Sequence, residues 1–82
     1  MKIMTTVITI SLPLEMEGWT TESIITELKG RVRLRKAGKV YPVDGGYYLT
    51  KSIRVSKEFG EEVRELAKEE GLSILSLTKR LW

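Results

Sequence analysis

Eighty-two residues with 41% hydrophobic and 30% charged side chains describe a small globular chain with room for one core. A net charge of +3 permits a nucleic-acid partner without requiring one. With no cysteine and no histidine, the chain is excluded from disulfides, thiolate or imidazole metal sites, cysteine nucleophiles and histidine bases. No apolar run approaches the ~18 residues of a spanning helix, and the N-terminus lacks the continuous apolar core of a secretory signal. A cytoplasmic protein with no membrane partner is expected.

The first element is "TTVITISL", Thr5 to Leu12. Its alternation puts Ile8, Ile10 and Leu12 on one face and Val7, Thr9 and Ser11 on the other, and β-branched residues dominate, so it reads as a strand. Pro13 and the run to Gly18 end it. A short helix is expected next. Thr20 or Thr21 caps it, Glu22 lies in its first turn, Ile24, Ile25 and Leu28 form its buried stripe, and Gly30 closes it.

"RVRLR", residues 31–35, alternates charge with Val32 and Leu34 and reads as a half-exposed strand. "KVYPV" and "YYLTKSIRV" flank Asp44-Gly45-Gly46, a tight-turn signal that predicts a hairpin, with Pro42 marking an edge. Lys51 interrupts the apolar face of Leu49, Ile53 and Val55, which predicts a break in the second arm near Thr50-Lys51.

The next helix is capped by Ser56 and carries Phe59, Val63, Leu66 and Ala67 on one face. Glu61 with Arg64, and Glu65 with Lys68, are i,i+3 partners, and Gly71 is the natural residue after its end. Charge is segregated: residues 29–39 hold six bases and no acid, and residues 58–70 hold six glutamates.

The tail "LSILSLTKRLW" reads either as a helix opening at Ser73 or as a strand, and its length does not decide. Two α+β architectures follow. In the first, an N-terminal strand–helix–hairpin segment (1–50) precedes a strand–helix–helix module (51–82). In the second, the whole chain is a single ferredoxin-like βαββαβ domain of two helices on a four-stranded sheet.

The phrase "SIRVS", then "EEVRELAKEEG", "GLS" and "LSLTKRLW", resembles the ribbon-helix-helix DNA-binding proteins of the Arc, MetJ and CopG type. Ile53, Val55, Val63, Leu66, Ala67, Leu72, Leu77 and Trp82 fill the family's hydrophobic positions. The resemblance implies a homodimer in which two chains pair their strands into a ribbon that enters the DNA major groove. It further implies that Thr50, Ser52 and Arg54 face the bases and that the amides of Ser73 and Ile74 meet a phosphate. Transcriptional regulators and antitoxins, the latter with a toxin protein as partner, share this module. The basic residues Arg31, Arg33, Arg35, Lys36 and Lys39 add candidate phosphate contacts.

Tyr41, Tyr47 and Tyr48 suit cross-strand pairs in the hairpin and, as a second use, stacking on single-stranded bases. Trp19 and Trp82 read as packing residues. Glu15 and Glu17 are the nearest approach to a carboxylate pair, and no base or nucleophile accompanies them. No catalytic residue, metal or cofactor is expected. A non-enzymatic protein-interaction or ligand-binding module is the other function class that fits.

Overall fold

The computed structural model describes residues 4–39 and 46–82. Strand β1 (Thr5–Pro13) lies antiparallel to β2 (Tyr48–Ser56), with Thr5 opposite Ser56 and Pro13 opposite Tyr48. These two strands are the sheet among the described residues. Backbone bonds from Leu14 N to Tyr47 O and from Lys57 N to Met4 O, each 3.0 Å, extend the ladder by one pair at either end. Residues 40–45 of the expected hairpin lie outside the described residues; the partner that β2 shows is β1, so the ribbon that the resemblance implied between two chains is formed within one.

The strand β2 is unbroken at Thr50-Lys51, contrary to expectation. Lys51 occupies an inner-face position opposite Ile10 and is half-buried. Its four-carbon stem is compatible with an apolar surface so long as the ammonium reaches water, which removes the reason for a break.

The largest correction concerns residues 31–35. They are not a strand but the second half of α1 (Thr21–Lys36), a 16-residue helix running through Gly30. The inward set is Ile24, Leu28 and Val32, spaced four apart and 0%, 0% and 1% exposed. Alternation in "RVRLR" satisfies a strand pattern, but Val32 extends the helical stripe by one more turn. Gly30 sits on the exposed side and costs about 1 kcal/mol against alanine. Burying Val32 returns about 1.5–3 kcal/mol, so the helix continues.

Helix α1 starts where expected, with Thr20 Oγ1 accepting from Ser23 N at 3.2 Å. It ends eight residues later than expected, at Gly38. There φ is +86°, with Gly38 N bonding Arg35 O and Lys39 N bonding Leu34 O. This is the paired closure of a Schellman end.

Helix α2 (Lys57–Glu69) matches its reading closely. Ser56 Oγ accepts from Phe59 N at 3.2 Å, and Phe59, Val63, Leu66 and Ala67 are buried. Gly71, at φ +68°, closes it with bonds to Lys68 O and, through Leu72 N, to Ala67 O. The expected Glu61–Arg64 pairing gives way to a tertiary contact. Arg64 Nη2 donates instead to Thr6 Oγ1 at 3.0 Å and to Val7 O at 3.4 Å.

The tail is helical: α3 (Ile74–Leu81), capped by Ser73 Oγ on Ser76 N. A ferredoxin-like sheet would need a strand here, so that alternative falls. The deciding factor is tertiary. As a helix the segment buries Leu77, Thr78 and Leu81 together, at 0%, 0% and 2% exposed.

One hydrophobic cluster joins the inner sheet face (Ile8, Ile10, Leu12, Ile53, Val55) to all three helices. The boundary expected at residue 50 lies inside β2, and the cluster draws on both sides of it. The chain is thus a mixed α+β unit: a two-stranded antiparallel sheet with three helices.

Candidate nucleic-acid interface

The antiparallel register decides which side chains meet on the outer sheet face. With Ile8 opposite Ile53 inside, the outward pairs are Thr5–Ser56, Val7–Arg54, Thr9–Ser52 and Ser11–Thr50. Thr50, Ser52 and Arg54, the three expected base contacts, therefore share one exposed face at alternate positions. Thr5, Val7 and Thr9 of β1 are exposed beside them. Those β1 residues are the part of the site that reading residues 52–82 alone missed. The period-two pattern of β1 already carried the information, but nothing local told which strand it would pair with.

The face is polar and partly pre-ordered. Thr9 Oγ1 and Ser52 Oγ share a hydrogen bond of 3.0 Å across the strands. Arg54 Nη1 donates to Thr5 Oγ1 at 3.1 Å. A guanidinium has five N–H donors, so this bond steers Arg54 without exhausting it.

The edges of the sheet differ. On β1, the outward backbone groups of Ser11 are both bonded. Its N–H donates to Thr78 Oγ1 at 2.8 Å, and its C=O accepts from Trp82 Nε1 at 2.6 Å. Ser11 Oγ also donates to Leu75 O at 2.8 Å, so α3 lies along this edge and buries Ser11. In the antiparallel ladder Thr50 opposes Ser11, so Thr50, Ser52 and Arg54 turn their own N–H and C=O groups away from β1. Those groups have no partner among the described residues.

Ser73 and Ile74 stand at the start of α3, beside β1 rather than β2. Ser73 Oγ is spent on its own helix, and the Ile74 side chain packs against the core. The remaining candidates are Arg31, Arg33, Arg35 and Lys36 on α1 and Lys39 in the turn that closes it, and three of them are paired. Arg31 pairs with Glu27 and donates to Leu81 O, Arg35 with Glu70, and Lys36 with Glu62 at 2.6 Å. Arg33 and Lys39 are exposed, without an ion pair among the described residues. Two of the six bases, Arg35 and Lys36, are thus answered by Glu70, the residue that caps α2, and by Glu62 within it, so part of the charge segregated in the sequence meets in the fold.

The Arg35–Glu70 pair is the best covered of these. Arg35 Nε lies 3.2 and 3.0 Å from the two Glu70 oxygens, and Nη2 also donates to Oε1. That hydrogen bond holds the Glu70 carboxyl below the usual carboxylate range and raises the Arg35 guanidinium.

Comparison with protein-family models, with curated proteins and with solved structures finds no match to this chain. Among the described residues, no group of acidic side chains is placed to hold a metal ion, and no helix is long and apolar enough to cross a membrane.

Proposed function

We propose that this protein is a small cytoplasmic DNA-binding regulator or antitoxin that lays the outer face of its β1–β2 ribbon in the major groove of double-stranded DNA. The carrying observation is the two-sidedness of the sheet. One face is sealed by helices, while the other, apart from the buried Ser11 and Pro13, is exposed and presents Thr5, Val7, Thr9, Thr50, Ser52 and Arg54. A two-stranded ribbon has the width the major groove accepts, and hydroxyls and a guanidinium are suitable readers of base edges. In this reading β1 supplies, within one chain, the second strand that a ribbon requires. Arg54 is the principal base reader, through guanine O6 and N7. Arg33 and Lys39 add phosphate affinity, and Ser73 and Ile74 offer amides beside the β1 edge.

A homodimer belongs to the same proposal. The β2 edge, unpaired among the described residues, suits antiparallel pairing with the same edge of a second copy, which would set two ribbons side by side. A protein-interaction module is the second reading, favoured by that same edge, since an extended segment of another protein can add a strand there.

Selection of duplexes from a random library, followed by titration at two salt concentrations, tests the proposal. A preferred sequence is expected to emerge, and Arg54→Ala should weaken its binding by about 1–3 kcal/mol while leaving random duplex nearly unaffected. Arg33→Ala should instead lower the salt slope by about one unit for every sequence. If no sequence is preferred, or if Arg54→Ala changes nothing, the groove-reading assignment is wrong.

A further inference from the structure

At one end of the outer face the ribbon meets an open, largely apolar groove of about 410 Å³, lined chiefly by Pro13, Leu14, Tyr47, Tyr48 and Trp82, with the Glu15 carboxylate also in its wall. That volume lies within the ~300–1,000 Å³ of ordinary ligand sites. Pro13 opposite Tyr48 is the last outward pair of the sheet, so the groove continues the same face that carries Arg54. Tyr47 is 84% exposed and Leu14 49%, a large apolar surface to leave in water. Trp82 donates its indole N–H to Ser11 O, which fixes the ring and leaves its π-surface, not its polar edge, as what it can offer a ligand. The Lys79 ammonium lies 5.2 Å from the Tyr48 ring centre and supplies a cation at the rim.

We infer that this groove is a stacking site for an unpaired nucleobase next to the duplex held by the ribbon, an assignment that rests on the DNA-binding reading above. Aromatic rings receive any base by its π-face, and a nearby cation meets the phosphate attached to it. A proline-rich peptide also favours aromatic grooves. It would gain nothing from continuity with the polar ribbon or from a cation at the rim, so the base is the better occupant.

The full-length chain carrying Trp19→Phe leaves Trp82 as its one tryptophan. It is titrated with a blunt duplex, with the same duplex bearing a short single-stranded extension, and with a proline-rich peptide. The extended duplex should quench Trp82 emission and bind about 5- to 150-fold tighter than the blunt one, the factor expected for stacking a base. Tyr47→Ala should erase that gain and Tyr47→Phe should keep it, with blunt-duplex affinity the same in both. Tyr47 is exposed enough for neither change to threaten the fold. Equal affinity for both duplexes with unchanged emission overturns the assignment, as does quenching by the peptide in place of DNA. Quenching by single strands without any duplex binding would remove the groove-reading role and leave the stacking site standing.

Discussion

The two faces of the β1–β2 sheet are built from the same strands and obey different rules. On the inner face Ile8, Ile10, Leu12, Ile53 and Val55 are at most 3% exposed and share one cluster with residues of all three helices. On the outer face Thr5, Val7, Thr9, Thr50, Ser52 and Arg54 are exposed and joined only by light cross-strand hydrogen bonds. Stability should therefore reside on one side and, on the proposed reading, DNA recognition on the other. Substitutions that respect this division can be told from those that do not by comparing denaturant midpoints with DNA affinity.

The largest effect is expected at Ile10, which is completely buried. Ile10→Ala should cost about 2–5 kcal/mol in urea unfolding. A loss much smaller than that would mean the inner face is not close-packed.

Gly60 sharpens the same point through a change of sign. Helix propensity alone makes Gly60→Ala a gain of about 1 kcal/mol. However, a Cβ at this position would fall well inside contact distance of the Thr6 methyl, where α2 rests on β1. Turning Thr6 away would displace the hydroxyl that accepts from Arg64. A net loss of about 1–3 kcal/mol is expected, as for other overpacked contacts. Unchanged or increased stability would show that the approach of helix to strand is looser than described.

Smaller again is the acid limb of the stability curve. The Glu70 carboxyl is depressed in the folded state, first by its hydrogen bond to Arg35, so its contribution is present above the unfolded carboxylate value of about 4.3. It is lost as pH falls from there through the folded value. Glu70→Gln should flatten this part of the pH profile, with outer-face binding unaffected at neutral pH. A profile of unchanged shape would assign the acid transition to other carboxylates.

The smallest effect is expected at Thr9. Thr9→Ala removes an exposed cross-strand hydrogen bond to Ser52 and should alter stability by no more than about 0.5 kcal/mol. A selected DNA site should nonetheless bind less well. A large stability loss would blur the division between the faces.

Much of this was legible in the residues themselves. Alternation and β-branching located β1, and Ser56, the apolar face of α2 and Gly71 located that helix from cap to stop, because these signals act within a turn or two of chain. That Thr50, Ser52 and Arg54 share the outward side of β2 likewise followed from the parity of one strand. "RVRLR" misled because five residues of alternation suit a strand and one helical turn equally well. Only the burial of Val32 in line with Ile24 and Leu28 separates the two. Lys51 misled because a charged residue on an apolar face looks like an interruption when its long stem is ignored.

Sequence by itself determined the local elements that carry their own start and stop chemistry, and the parity that sorts each strand into an apolar and a polar side. Tertiary structure alone decided that β1 would be the partner of β2, that the tail would be a helix covering the β1 edge, and that Arg35 and Lys36 would meet Glu70 and Glu62. The physical reason is range. Caps, turns and side-chain alternation are settled by neighbours along the chain, whereas strand pairing, edge closure and ion pairing depend on which distant surfaces remain to be buried once the others have met.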